Sequence, residues 1–381
     1  MPPLPIAYFA DRLAHSLTLL RELVALESPS TDKPAIDRLG LRLRAEAEAL
    51  GAHVETLPRA EAGDILVCRW DADGPGCALL LLAHMDTVYD LGTLAAWPHP
   101  STDEELRGPG VMDMKGGIVL ALEAIRALRE TGRMPAQSPR PITLLLTSDE
   151  ETGSAASRSV IEAEARKVGQ SGGMVFCLEP AMASGALKTW RKGTGDIYLS
   201  VKGVAAHAGV NHEQGRNAIE ELAHHILSAQ SLTDYARGTT VNVGVVRGGT
   251  RSNVVPDTAS AEIDFRILDP SDVARLQAWA DGLQPVIPGT QVSARLEVNR
   301  PPMPRDARMI ASFERARSIG AELGLALEAG GTGGGSDANF VAPLGVPVLD
   351  GLGPVGEGAH SERESVRISS IPERAALLEG W

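Results

Sequence analysis

The sequence has no apolar run near the roughly 20 residues that a membrane-spanning helix requires. Its first residues, Met1-Pro2-Pro3-Leu4-Pro5-Ile6, carry neither the basic segment nor the long apolar core of a secretory leader. Together these absences point to the cytoplasm, or to the periplasm or exterior if a leader has been removed. Cysteine is scarce. Cys68, Cys77 and Cys177 are odd in number and lack C-x-x-C spacing, which argues against a disulfide framework and predicts free, buried thiols in a reducing compartment. Positive charge is also short: 36 Lys and Arg stand against 49 Asp and Glu, for a net charge of −13. A chain with that balance offers no basic face to nucleic acid or to an anionic membrane. No internal repeat or low-complexity segment is evident, and the glycine-rich stretch Arg107–Gly117 lacks the G-x-x-x-x-G-K-[ST] order of a phosphate loop, with Asp113 standing where a phosphate would be repelled.

The 381 residues, 43% hydrophobic and 22% charged, suit a globular protein of two domains. Helical spacing of apolar residues predicts helices over 7–27, Pro34–Leu50 (ending at Gly51), Ile118–Arg129 and Ala307–Leu323. Ile65–Trp70 reads as a strand, and Cys77–Ala83 as a central strand covered on both faces. That run ends in His84-Met85-Asp86. The same pattern recurs: Ile142–Leu146 leads to Asp149-Glu150-Glu151, Met174–Leu178 to Glu179-Pro180, and Val346–Leu349 through a glycine-rich loop to His360. In an open α/β sheet the binding crevice lies beyond the carboxyl ends of the strands, so separate strands would deliver these residues to one site. Three consecutive carboxylates at 149–151 call for a cation. Neighbouring side chains diverge on a helix or a strand, so Glu150 and Glu151 cannot share a coordination shell; one binds metal while the other serves a water as general base. His84 and Asp86 at i and i+2 share a strand face, so that Asp86 would accept from the imidazole while the other nitrogen faces the metal.

Around Lys188–Gly193 the pattern changes to alternating strands (Asp196–Lys202, Thr240–Val246, Ala259–Ile267) and a helix (Asn217–Gln230), closing at the proline-rich join 298–302. The expected architecture is an α/β catalytic domain with a mixed, mostly parallel central sheet (residues 1–189 and 303–381), interrupted by an inserted α+β domain at 190–302. The cluster Gly330–Ser336 reads as a loop.

His84-x-Asp86, Gly110-x-x-Asp113-x-Lys115-Gly116-Gly117, Asp149-Glu150-Glu151-x-Gly153, Leu178-Glu179-Pro180, His207-Ala208-Gly209, Ser252-Asn253-Val254-Val255-Pro256, Gly333-Gly334-Gly335-Ser336-Asp337 and Ala359-His360-Ser361 occur in this order over nearly the whole chain. The set resembles the co-catalytic zinc peptidases that include glutamate carboxypeptidase, aminoacylase, acetylornithine deacetylase and succinyl-diaminopimelate desuccinylase. It is most similar to the folate-cleaving glutamate carboxypeptidases, through Thr332–Asp337, Asn299-Arg300-Pro301 and the surroundings of His360. The resemblance implies two zinc ions per subunit, with cobalt or manganese as possible substitutes: Asp113 bridges them, His84 and Glu179 complete one, and Glu151 and His360 the other. It further implies Glu150 as general base, Asp86 as a catalytic partner of His84, and a cis peptide at Asp113-Met114. The insert would be a lid and dimerisation domain that carries His207, an oxyanion stabiliser, and Asn253 into the partner's site. Arg266 would hold the substrate's α-carboxylate beside Gly335, with Arg300 as a second acidic contact. The expected activity is hydrolysis of a C-terminal amide bond of a small peptide or N-acyl amino acid by a homodimer. An N-acyl amino acid deacylase or desuccinylase with the same metals, and a catalytically silent binding relative, are the rival readings.

Overall fold

The structure, a computed structural model, describes residues 1–74, 76–134 and 140–381. The chain divides into two compact units, one formed by Met1–Trp190, Arg305–Thr332 and Ser336–Trp381, the other by Arg191–Pro304 with Gly333–Gly335.

The first unit is built on a six-stranded sheet whose order across the sheet is His53–Leu57, Ile65–Trp70, Ile142–Thr147, Leu79–His84, Met174–Cys177, Val348–Leu349. The last four strands run parallel, and Ile65–Trp70 pairs antiparallel with both His53–Leu57 and Ile142–Thr147. Every residue of Leu79–His84 is buried. Leu79, Leu81 and Ala83 join the core that includes the helices Lys33–Ala49, Gly117–Glu130 and Ser370–Glu379, while the helix Arg158–Gln170 also packs on this strand. A continuous apolar run suits such a position, since each leucine taken fully out of water contributes roughly 1.5–3 kcal/mol. The register pairs His84 with Thr147 and Leu82 with Cys177, so the three central strands end at about one level. The residues just beyond those ends therefore meet.

Several boundaries differ from expectation. The first helix is two, Ile6–Ala10 and Leu13–Ala25, because the chain leaves helical geometry at Arg12, whose guanidinium lies over the Tyr8 ring. The next begins at Lys33, where the Asp32 side chain caps it by accepting from the Ala35 N–H. Cys77 is exposed, since the strand starts only at Leu79, whereas Cys68 and Cys177 are buried; none of the three forms a disulfide. Part of the expected loop Gly330–Ser336 is extended backbone, Ala329–Thr332, paired with Leu187–Arg191.

The second unit is an antiparallel sheet ordered Thr240–Gly248, Thr258–Ile267, Gly193–Lys202, Gln291–Arg300. Alternation along Thr258–Ile267 sends Ala259, Ala261, Ile263, Phe265 and Ile267 to a core shared with the helices Ala218–Gln230 and Ser271–Asp281. Helix Ser271–Asp281 and strand Gln291–Arg300 were not anticipated: they carry many charged and polar residues, and the strand alternates only weakly between buried and exposed.

Candidate metal centre

Five elements of the first unit present their ends to one place. His84 terminates the strand Leu79–His84; Glu150 and Glu151 open the turn after Ile142–Thr147; Glu179 follows Met174–Cys177 by one residue. Asp113 lies in a wide turn, Val111–Gly116, that leads directly into the helix Gly117–Glu130, and the Asp113-Met114 peptide bond is cis. This turn sits against the strand end through Gly117, where a Cβ would collide with the Leu178 carbonyl oxygen. His360 belongs to the loop before Ser365–Arg367 and adopts a left-handed backbone (φ 61°), uncommon for a residue with a side chain.

The two carboxylate oxygens of Asp113 face two different histidines. Oδ1 is 3.1 Å from His84 Nε2, and Oδ2 is 3.5 Å from His360 Nε2. His84 Nε2 also lies 3.7 Å from Glu179, and His360 Nε2 lies 3.0 Å from Glu151. Ligand-type atoms of His84, Glu150 and Glu179, and likewise those of His84, Asp113 and Glu151, fall within 4.8 Å of one another. Glu150 and Glu151 thus enter different groups.

The electrostatics of this cluster call for cations. Burial opposes protonation of His84, yet Asp113 and Asp86 outweigh it and hold its pKa well above the ordinary histidine value. Hydrogen bonding to Asp113 and Glu151 lifts His360 to about 11. Burial pushes Glu151 upward, whereas its two histidine neighbours overcome burial at Asp113 and depress it. The carboxylates draw protons onto both imidazoles, a task that a divalent ion performs with more charge. Imidazole nitrogens and carboxylate oxygens in this mixture suit zinc and similar first-row ions. The donor set fits a metal centre.

Asp86 faces both His84 and the turn bearing the glutamates. Because the strand ends at His84, Asp86 lies beyond it, and His84 Nδ1 is nearer the Asp86 carbonyl oxygen (2.9 Å) than its carboxylate (3.4 Å). The fully buried carboxylate also accepts from the Glu150 N–H (3.1 Å), the Glu151 N–H (3.1 Å) and Ser30 Oγ (2.8 Å). It orients the turn bearing both glutamates. A second brace was not anticipated: Asp337 accepts from Ser154 Oγ (2.5 Å) and Thr147 Oγ1 (3.0 Å), and Asp149 accepts from the Ala156 N–H (2.6 Å) and Ser157. Glu364 was also missed. Its carboxyl, lifted by burial to about 7, accepts main-chain N–H groups of the Asp113 turn. No periodicity marks Asp337 or Glu364, because their partners are remote in sequence.

The remaining expected residues belong to the second unit. His207 pairs with Val254 across a short antiparallel bridge, and the Ala208 N–H donates to the Asn253 carbonyl (3.0 Å), so His207 and Asn253 adjoin and both are exposed. Arg266 and Arg300 both pair in register with Thr194 from opposite sides, which places them in one row. Arg266 bonds Asp264 through Nε and Nη2 (3.0 and 2.7 Å). Arg300 is buried, donates to the Asn299 side chain (2.9 Å), and fills the space where Gly335 would carry a Cβ.

Among the described residues no helix is long and apolar enough to cross a membrane. Comparison with known proteins agrees with this site. Residues 80–381 match the model of peptidase family M20/M25/M40. The chain is 32% identical over 365 residues to carboxypeptidase G2 of Pseudomonas sp. (strain RS-16), covering 93% of this chain and 85% of that protein. It is 27% identical over 397 residues to succinyl-diaminopimelate desuccinylase of Dechloromonas aromatica, covering 95% and 96%. Among solved structures, aminopeptidase PepT of Bacillus cereus superposes with a TM-score of 0.77 at 23% identity, over 97% of each chain. An M20 family metallo-carboxypeptidase of Sulfolobus solfataricus gives 0.72 at 19% identity, over 96% of this chain and 98% of that one, and both likenesses speak to the fold. The chain belongs to peptidase family M20/M25/M40 and is a metal-dependent peptidase or amidohydrolase of that family.

Proposed function

We propose that the protein is a two-metal exopeptidase that hydrolyses a C-terminal amide bond, with glutamate or a similar acidic residue as the favoured leaving amino acid. The observation that carries the two-metal part is Asp113, whose two oxygens face His84 and His360 separately. His84, Asp113 and Glu179 would hold one zinc ion, and Asp113, Glu151 and His360 the other. When bound, such ions polarise a carbonyl and lower the pKa of water. Glu150, 9% exposed and with its main chain fixed by Asp86, takes the proton from the attacking water and returns it to the leaving amine. Asp86 acts by holding Glu150 and Glu151 in place. His207, contributed by the partner of a homodimer, donates to the developing oxyanion, with Asn253 beside it. Residues 190–302 are the lid and dimerisation domain. The row of Arg266 and Arg300, with Gly335 beside Arg300, supports recognition of substrate carboxylates, and the likeness to carboxypeptidase G2 supports a C-terminal glutamate.

The likeness to desuccinylases favours a second reading, an N-acyl amino acid deacylase or desuccinylase that uses the same residues. Release of free amino acid from N-blocked substrates ending in glutamate, aspartate or a neutral residue, with and without chelator and added Zn²⁺, separates the two. Chelator-sensitive release favouring glutamate is expected. Chelator-sensitive cleavage of simple N-acetyl or N-succinyl compounds alone would transfer the function to the second reading.

A further inference from the structure

We propose that Glu364 is a positioning residue that sets the spacing between Asp113 and His360 and so governs how tightly the second metal is held; the inference rests on the two-metal reading above. Glu364 has no exposed surface, and no lysine or arginine among the described residues forms an ion pair with it. Its carboxylate is occupied by the main chain of the Asp113 turn. The Met112 and Asp113 N–H groups donate to Oε1 (2.8 and 3.0 Å), and the Gly110 N–H donates to Oε2 (3.2 Å). A buried carboxylate that gathers several amides fixes their relative directions, because releasing any one leaves a buried polar group unsatisfied.

The side chain doing this is anchored in the loop of His360, four residues away. That loop is closed by main-chain hydrogen bonds from Ser361 to Gly358 and from Glu364 to Ser361, each 3.0 Å. Tyr89 Oη donates to the Ser361 carbonyl (3.0 Å) and also faces the Glu364 carboxylate as a hydrogen-bond partner, which ties both the loop and the Glu364 side chain down from another side. One carboxylate thus joins the turn that presents Asp113 to the loop that presents His360, two of the three ligands assigned to the second metal. The first metal depends on it less. His84 ends a central strand, and Glu179 follows a neighbouring strand whose Leu178 N–H donates to the Leu82 carbonyl (2.9 Å), so the sheet itself places that pair. His360 is half exposed, with 53% of its side-chain surface accessible, and is held by its loop.

The test is equilibrium titration of the full-length, metal-free protein with Zn²⁺ against a chromophoric chelator, together with the visible spectrum of the Co²⁺-loaded protein. Wild type should take up two ions. Glu364→Gln turns an amide group toward the N–H donors and should weaken the second ion about 10–100-fold, the range for partners that orient metal ligands, while the first ion, which shares Asp113 but also has the sheet-borne His84 and Glu179, weakens distinctly less. Glu364→Asp keeps the charge and should fall between the two. Both ions bound by Glu364→Gln as tightly as by wild type would overturn the proposal. Equal weakening by Glu379→Gln, which removes a buried carboxylate that accepts from the Leu4 N–H (2.7 Å), would also overturn it by exposing general destabilisation. If Glu364→Gln does not fold, Tyr89→Phe takes its place: a several-fold weaker second ion supports the tie between loop and turn, and an unchanged one refutes it. Wild type binding fewer than two ions would instead remove the two-metal reading, and this proposal with it.

Discussion

The buried carboxylates of the second unit and those gathered at the candidate metal centre are treated in opposite ways. In the second unit Asp272 has no exposed surface and is surrounded by donors of its own chain: Thr239 Oγ1 (2.6 Å), Arg237 Nε (3.0 Å) and Arg275 Nε (3.1 Å). Glu221, equally buried, accepts from the Val286 and Ile287 N–H groups (2.9 and 2.7 Å) and Thr290 Oγ1 (3.1 Å), with His225 Nε2 at 2.7 Å. In the first unit Asp113 and Glu151 converge with Glu150 and Glu179, and the ion-pair partners of Asp113 and Glu151 are histidines rather than arginine or lysine. A buried charge is stable only when something compensates it. Compensation written into the chain marks a structural carboxylate, whereas carboxylates left facing one another mark a place for a cation from outside. Burial alone does not separate the two.

The sharpest attack on this contrast is Glu150→Gln, which removes a negative charge from the cluster but no assigned metal ligand. Turnover should fall about 10²–10⁴-fold with both ions retained, as measured by steady-state rates and metal analysis on the same sample. Retention of most activity would refute the base assignment. Next in size, His360→Ala should lower bound zinc from two ions towards one and reduce activity with it; unchanged stoichiometry would place His360 outside the site. The same cluster ties metal affinity to pH. Protons held by His360, lifted to about 11, and by His84 must leave before either can bind an ion, so affinity should fall as pH is lowered and Zn²⁺ uptake at pH 7 should release protons. Calorimetry in buffers of different ionisation enthalpy counts them, and an absence of proton release would contradict the compensation argument.

The carboxylates of the second unit should behave otherwise. Asp272→Asn should destabilise the protein by about 1–3 kcal/mol in thermal unfolding while leaving metal content unchanged. Asp272 and Glu221 are held below the ordinary carboxylate range because, although burial pushes each upward, their donors outweigh it. Their folded-state pKa values therefore lie below the unfolded values of about 4, so the stabilisation is complete above that pH and is lost as pH falls through the folded-state values. The smallest expected effect is thus acid loosening of the second unit, read by hydrogen exchange of Val286 and Ile287 between pH 5 and 3. Persistent protection there at pH 3 would break the comparison.

The amino-acid order by itself marked the candidate metal ligands and the strands that carry them. An apolar run that stops at His84, Glu150 or Glu179 signals a buried parallel strand delivering a polar residue at its carboxyl end, and that signal is local. Motif order over the chain determined the family. Tertiary structure alone decided which carboxylates are compensated from within. Apart from His225, one helical turn on, the donors to Glu221 lie 65–69 residues away, and the amides on Glu364 more than 250 away, so no local spacing or periodicity reveals them. It also decided that the Asp86 carboxylate, besides facing His84, accepts from the Glu150 and Glu151 N–H groups more than 60 residues away. Hydrophobic pattern is recorded residue by residue along the chain, but the satisfaction of a buried charge is a property of the three-dimensional surroundings that folding brings together.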